Sequence, residues 1–146
     1  MVSRTVQPSD VLRKHRVIAV VGASKSQEKE AYTVPLYLKN HGYRVIPVNP
    51  TAERIHGEKA YANLGEIPTD LARTVDVVEV FRPSDELPSV ASQVAEMRFK
   101  TGRPFVFWAQ LGLENDEAKR ILQDAGVDYV MNACMRTQHQ LMGGSK

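Results

Sequence analysis

The chain has 146 residues, of which 42% are hydrophobic and 25% charged, and 19 basic against 17 acidic side chains leave a formal net charge of +2. This length predicts a single globular domain over residues 1–146. The small net charge argues against a nucleic-acid partner, and no apolar run reaches the roughly 20 residues of a membrane span. One cysteine cannot form an internal disulfide, which favours a reducing cytoplasm, and one cysteine with four histidines argues against a structural metal site.

Five runs rich in β-branched and aromatic residues predict β-strands. In chain order they span residues 17–21, 44–48, 75–81, 105–108 and 127–130. The first run contains no polar residue, which is typical of a strand buried on both faces of a parallel sheet. The second run contains Pro47, which has no amide donor and is unfavourable in a central strand.

Helical patterns separate these strands. Apolar residues fall at helical spacing over 34–41, 87–95 and 118–125. Each of these segments is followed by a glycine, a residue that commonly ends a helix because it adopts positive φ without steric cost: Gly42, Gly102 and Gly126. The alternation predicts a doubly wound α/β domain, with a five-stranded, mainly parallel sheet in the order 3-2-1-4-5 and helices on both faces.

Local signals add detail at the helix ends. Ser9 and Asp10 are predicted to cap a short opening helix that ends at Lys14, and Asn115 is predicted to cap the last long helix. Segment 51–74 predicts at most a short helix, and the tail 143–146 is predicted to be disordered.

The turn after the first strand carries candidate phosphate ligands, because ligands of doubly wound sheets bind beyond the carboxyl ends of the strands. Glycine lets the backbone approach a phosphate, and the following helix start offers free amides. The candidates are Gly22, Ala23, Ser24, Lys25 and Lys29. The sequence is neither G-x-G-x-x-G nor a Walker motif, so a plain turn with solvated lysines is the alternative.

The next two strand ends add further candidates. Asn49 and Pro50 follow the second strand, where an NAD-binding domain would carry an acidic residue, and a simple turn is the alternative. Arg82 follows the third strand and offers a planar fork for a phosphate, unless it only forms a surface salt bridge. Phe81 and Pro83 beside it could form an apolar shelf for a base.

The last two strand ends carry Trp108, Gln110 and Cys134. Trp108 is either a ligand contact or a core residue, and Gln110 either binds polar ligand atoms or caps the next segment. Cys134 is either a small buried hydrophobe or one half of a pair with His139, and no local signature predicts catalysis.

Together these segments resemble the small stand-alone CoA-binding proteins, which are similar to the first domain of the succinyl-CoA synthetase alpha subunit. The resemblance covers residues 11–141. It rests on Ile18-Ala-Val-Val-Gly-Ala-Ser24, His41-Gly-Tyr-Arg-Val-Ile-Pro-Val-Asn-Pro50, Gly57-Glu-Lys59, Val75-Asp-Val-Val-Glu-Val-Phe-Arg82, Trp108-Ala-Gln-Leu-Gly112, and Cys134 with His139.

The resemblance implies a Rossmann-like fold with coenzyme A along the strand ends. It implies that Gly22, Ala23 and Ser24 meet the pyrophosphate, and that residues 49–50, 81–83 and 108–110 line the nucleotide. Where related proteins often carry Ser-Tyr-Gly, this chain has Ala31-Tyr32-Thr33, so that only Tyr32 is retained. Cys134 would then lie within reach of the pantetheine thiol and form a reversible mixed disulfide with it.

The resulting prediction is a non-catalytic binder or regulator that takes coenzyme A or acyl-CoA, with no assigned catalytic residue and no metal. The alternatives are an enzyme acting on CoA thioesters and an NAD- or nucleotide-binding regulator. A homodimer is a further possibility, because no residue pattern in the chain determines the oligomeric state.

Overall fold

A computed structural model describes residues 6–143 of the chain. Its strands are β1 (Val17–Val21), β2 (Arg44–Val48), β3 (Arg54–Ile55), β4 (Glu58–Lys59), β5 (Val77–Val80), β6 (Val106–Ala109) and β7 (Asp128–Val130). Its α-helices are α1 (Pro8–Lys14), α2 (Glu30–Asn40), α3 (Thr69–Ala72), α4 (Leu87–Thr101), α5 (Asp116–Ala125) and α6 (Met135–Leu141). Two 3-10 turns lie at Leu64–Glu66 and Ser84–Glu86. Residues 144–146 of the tail predicted to be disordered lie outside the described residues.

The five long strands form one parallel sheet, as the sequence predicts. Their order is β2-β1-β5-β6-β7, which is 2-1-3-4-5 when these strands are numbered along the chain. The fold class is therefore confirmed, whereas the predicted order 3-2-1-4-5 is wrong. The third long strand, β5, pairs directly with β1 instead of lying outside β2.

Pro47 explains why β2 takes the edge of the sheet. Its carbonyl oxygen faces away from β1 and accepts a hydrogen bond of 3.1 Å from the Tyr61 N–H. The missing amide donor of Pro47 therefore lies on the outer side of β2, where a further full strand would need it. By contrast, all four residues of β5 are buried, which suits a central strand.

Helices cover both faces of the sheet. Apolar side chains on one face pack against α1, α2 and α6, and those on the other face pack against α3, α4 and α5. The chain thus leaves β1 through α2 on one face and leaves β5 through α4 on the other. Because these connections diverge, a crevice forms between the carboxyl ends of the neighbouring strands β1 and β5.

Two of the predicted helix ends can be checked at atomic level. The Asn115 side chain accepts a hydrogen bond of 2.9 Å from the Ala118 N–H, so the predicted cap of α5 is confirmed. The predicted cap of α1 is wrong, since that helix begins at Pro8 and Ser9 and Asp10 lie in its first turn. Proline favours the first helical turn because its missing N–H needs no partner there.

Two further properties bear on function. None of the described helices is long and apolar enough to cross a membrane. Within residues 6–143, no three His, Cys, Asp or Glu side chains are grouped as they would be around a metal ion.

Candidate functional site

The turn at Gly22 lies against the end of β5. Gly22 has φ +87°, and its N–H donates a hydrogen bond of 3.0 Å to the Val48 carbonyl oxygen. A Cβ atom at this position would lie 3.1 Å from Arg82 Cδ and 3.2 Å from the Phe81 carbonyl oxygen. Both the positive φ and the close approach therefore require glycine, and they bring two predicted ligand segments together.

The loop between Gly22 and α2 is ordered by local hydrogen bonds. Ala23 is buried, while the Ser24 N–H donates to the Ala31 carbonyl oxygen at 3.1 Å and Ser24 Oγ accepts from the Ser26 N–H at 3.0 Å. No side chain among the described residues caps the start of α2. Lys25 and Lys29 are exposed, so this loop presents two cations to solvent, while the N–H groups of Ser24, Ser26 and Lys29 donate hydrogen bonds within it and to the start of α2.

Asn49 fixes this loop from β2. Its Nδ2 donates a hydrogen bond of 2.8 Å to the Ala23 carbonyl oxygen. Its Oδ1 accepts from the backbone N–H groups of Thr51 and Ala52 at 2.7 and 3.0 Å, and from the Thr51 hydroxyl at 3.0 Å. Asn49 therefore positions the Gly22 loop through its hydrogen bond to the Ala23 backbone, whereas the neighbouring Pro50 is exposed.

Arg82 reaches over Gly22 and is held by an acidic neighbour. Its Nε and Nη2 donate to Glu86 Oε1 at 3.0 and 2.8 Å, and 44% of its side chain is exposed. Phe81 is partly buried and packs against the core, whereas Pro83 is exposed. The guanidinium is thus at the crevice, and Glu86, which the sequence reasoning missed, competes for it.

A cavity of about 270 Å³ lies in the crevice. It brings together three of the predicted residues, Gly22, Pro50 and Arg82, with four that sequence reasoning missed, namely Asn63, Glu86, Ser89 and Gln93. A larger cavity of about 450 Å³ between α4 and segment 63–72 contains none of the predicted residues. The chemistry of the strand ends therefore selects the smaller cavity as the candidate site.

Trp108 is fully buried instead of lining the crevice. Its ring has no exposed surface, and its Nε1 donates a hydrogen bond of 2.8 Å to the Ala133 carbonyl oxygen. The alternative of a core residue therefore describes Trp108 better than the role of nucleotide contact that the resemblance implies. Large aromatic side chains contribute most of their free energy through such burial.

Gln110, Cys134 and Glu79 are buried together near the ends of β5 and β6. They are 3%, 7% and 0% exposed. Burial raises the pKa of Glu79 well above its ordinary value, and the charge of Cys134 adds to this rise. Burial also raises the pKa of the Cys134 thiol, but polar contacts with Thr137, Gln110 and the Arg136 backbone outweigh it and leave the pKa below its ordinary value.

Glu79 was missed by the sequence reasoning, although a glutamate inside an otherwise apolar strand was a usable signal. Arg136 was missed as well, and its Nη1 lies 3.4 Å from Thr33 Oγ1 near the start of α2. The ring of the predicted residue Tyr32 contacts His56 in a tilted arrangement, with ring centroids 4.3 Å apart and an interplanar angle of 56°. His139, considered with Cys134, is buried, and its Nδ1 lies 2.8 Å from the Tyr37 hydroxyl.

The chain is similar to relatives of known sequence and to solved structures. The chain is 38% identical over 130 residues to the uncharacterized protein YneT of Bacillus subtilis (strain 168), covering 89% of this chain and 90% of that protein. It is 31% identical over 85 residues to the ADP-forming acetate–CoA ligase II of Archaeoglobus fulgidus, covering 57% of this chain but 12% of the ligase. The solved structure of a hypothetical protein from Pyrococcus horikoshii OT3 has a TM-score of 0.83 at 32% identity, covering 95% of this chain and 94% of that one.

The family assignment agrees with these relatives and with the Rossmann-like sheet. Residues 16–140 match the family described as the CoA binding domain, a span that runs from just before β1 almost to the end of α6. The chain therefore belongs to the CoA binding domain family.

Proposed function

We propose that this protein binds coenzyme A or acyl-CoA in the crevice between β1 and β5, as a non-catalytic binder or regulator. The observation that carries the proposal is the approach of the Gly22 turn to Arg82, which places a glycine turn and a guanidinium at one opening. Coenzyme A carries a pyrophosphate and a 3′-phosphate, and backbone amides and arginine forks bind such groups.

The residues around the crevice suit the parts of this ligand. The uncapped start of α2 and the exposed Lys25 and Lys29 supply amide donors and positive charge for the phosphates. Pro50 and the apolar floor of the cavity, Val21, Val48 and Val90, offer a surface for an adenine ring. Asn49 is engaged with the backbone on both sides, so its role in the proposal is to position the loop.

The second candidate is an enzyme acting on CoA thioesters, which the similarity to an acetate–CoA ligase favours. The chain spans 12% of that ligase, so the ligase activity as a whole does not carry over to it. Acyl-CoA hydrolysis is the activity to examine, by following the release of free thiol from acetyl-CoA.

In keeping with the composition, we further propose that the protein acts in the cytoplasm as a single CoA-binding domain.

Titration calorimetry with coenzyme A, acetyl-CoA, NAD and ATP tests the proposal. Coenzyme A is expected to bind most tightly, and at a concentration one hundred times its Kd it should stabilise the native state by about 2.7 kcal/mol. Tighter binding of NAD than of coenzyme A would contradict the proposal. Release of free thiol from acetyl-CoA would replace the non-catalytic role with the second candidate.

Arg82→Ala is the matched test of the site. Loss of a charge-assisted hydrogen bond is worth about 1.5–3 kcal/mol, so CoA affinity should fall roughly 10- to 150-fold. Arg73 serves as the control, because it is an exposed arginine with an ion pair to Asp70 and lies at the end of α3 instead of in the crevice. Equal affinities for the Arg82→Ala and Arg73→Ala variants would remove Arg82 from the site.

A further inference from the structure

A buried polar cluster lies behind the crevice, on the face of the sheet that α2 and α6 cover. Glu79 is paired in register with Trp108, and Gln110 lies two residues beyond Trp108, so their side chains lie on the same face of the sheet. Cys134 completes the cluster from the start of α6. Glu79, Gln110 and Cys134 together form the thiol cluster.

Two members of the cluster carry polar atoms without partners. Both carboxyl oxygens of Glu79 and both amide atoms of Gln110 make no hydrogen bond of ordinary geometry with the described residues. Native proteins satisfy nearly all buried polar groups, so four such atoms in one place indicate a group that this part of the chain does not supply. Gln110 is the member that faces the thiol, in a contact that falls outside ordinary hydrogen-bond geometry.

The backbone holds Cys134 in place beside Gln110. Trp108 Nε1 donates to the Ala133 carbonyl oxygen at 2.8 Å, and the Ala133 N–H donates to the Ala109 carbonyl oxygen at 3.4 Å. These bonds fasten the residue before Cys134 to the end of β6. Polar contacts of Thr137 and the Arg136 backbone with the sulfur lower the pKa of the Cys134 thiol despite burial.

The thiol cluster and the crevice lie at the same edge of the sheet. Arg136, two residues after Cys134, approaches Thr33 in the first turn of α2 with its Nη1 3.4 Å from Thr33 Oγ1. Ala23, from the loop predicted to bind phosphate, packs in the same apolar cluster as Cys134. A ligand that holds its phosphates at the start of α2 therefore has the Cys134 thiol on the same side of the molecule.

We propose that Cys134 is the attacking thiol in an exchange with the disulfide form of coenzyme A, and that Gln110 is a positioning residue for this exchange. The Cys134 thiolate attacks one sulfur of the CoA disulfide, and a protein–CoA disulfide forms. The disulfide bond of the reagent breaks, and one coenzyme A leaves as a thiolate that takes up a proton from water. The CoA disulfide is itself the oxidant, so no other reactant is required.

This exchange rests on the proposed binding of coenzyme A. The chemistry of each residue in the thiol cluster explains its role in the exchange. The Gln110 amide is a neutral dipole that can turn its N–H groups toward the negative sulfur. Burial raises the pKa of Glu79, which disfavours a like charge beside the thiolate. At 7% exposure, Cys134 is poorly accessible to bulk reagents, so a disulfide guided in by its nucleotide should react in preference to others.

Intact-mass spectrometry of the whole chain after incubation with CoA disulfide tests the exchange. The wild type is expected to gain the mass of one coenzyme A less two hydrogens, one from each thiol, and dithiothreitol should remove it. The Cys134→Ser variant should gain nothing while it still binds reduced coenzyme A in calorimetry. If reduced coenzyme A binds and no adduct forms on the wild type, the exchange is refuted and the binding proposal stands. If reduced coenzyme A does not bind, the binding proposal fails, and with it the guided exchange.

Two comparisons test guidance and positioning. Glutathione disulfide lacks the nucleotide and should react at least tenfold more slowly than CoA disulfide at equal concentration; equal rates would refute guidance by the crevice. Gln110→Leu should lower the saturating rate of exchange at least fivefold and leave the half-saturating concentration unchanged, with Gln140→Leu, at an exposed glutamine of α6, as control. A change in half-saturation alone, or a rate equal to that of the control, would refute the role of Gln110.

Discussion

Gly22→Ala gives a direct test of the crevice because two separate costs meet at this position. The first is conformational, since an alanine at φ +87° costs about 1–2 kcal/mol. The second is steric, since the new Cβ would lie 3.1 Å from Arg82 Cδ and 3.2 Å from the Phe81 carbonyl oxygen. The arginine side chain can move, but the Phe81 backbone directly follows β5 and its N–H donates a hydrogen bond of 2.9 Å to the Val21 carbonyl oxygen, so it gives way only with strain.

Gly102→Ala supplies a matched control for the conformational cost. Gly102 has φ +77°, and a Cβ there would meet no atom within 4 Å. This variant should therefore lose only about 1–2 kcal/mol of stability, or about 3–6 °C in Tm. Crowding typically adds about 1–3 kcal/mol, so Gly22→Ala should lose about 2–5 kcal/mol, or about 6–15 °C.

Binding separates the two variants further. The alanine at residue 22 displaces Arg82 from the turn, and a loss of about 1.4 kcal/mol corresponds to a tenfold rise in the Kd for coenzyme A. Urea unfolding and calorimetry on both variants measure the two effects. If Gly22→Ala has the stability of Gly102→Ala and the affinity of the wild type, then the close approach at Gly22 neither crowds the sheet nor shapes the site.

Three further predictions concern side chains around the site. Glu86→Gln should tighten coenzyme A binding roughly two- to fivefold in calorimetry, because it frees Arg82 and removes a negative charge worth about 0.5–1 kcal/mol near the phosphates. Glu96→Gln, in a comparable ion pair on α4, should have no effect, and equal behaviour of the two variants would contradict this account. Trp108→Phe should lower the free energy of unfolding by about 2–4 kcal/mol, since it loses packing and its hydrogen bond to the loop after β7; an unchanged urea midpoint would contradict that role. Burial, followed by the charge of Cys134, raises the pKa of Glu79. The unfolded chain therefore binds fewer protons than the folded one above about pH 4.3, the ordinary glutamate pKa, and stability falls as pH rises. Glu79→Gln should flatten this part of the dependence of unfolding free energy on pH, and an equal slope in both proteins would refute it.

The sequence alone determined the elements and their alternation. Runs of β-branched residues and helical spacing are local properties, and they place all five long strands within two residues of their observed ends. The cap at Asn115 and the turn at Gly22 are local as well, because the side-chain oxygen of one and the missing Cβ of the other act within a few residues. These features sufficed for the fold class and for the resemblance to CoA-binding proteins.

The tertiary structure decided which of these parts meet. The order of the sheet depends on which strands pair over long distances, and Pro47 contributes only the constraint that the outer side of β2 lacks a donor. The burial of Trp108, the capture of Arg82 by Glu86 and the polar atoms around Cys134 all join residues from different elements. Such contacts form when distant segments pack around a common core. No local sequence pattern encodes that packing, so only the tertiary structure shows them.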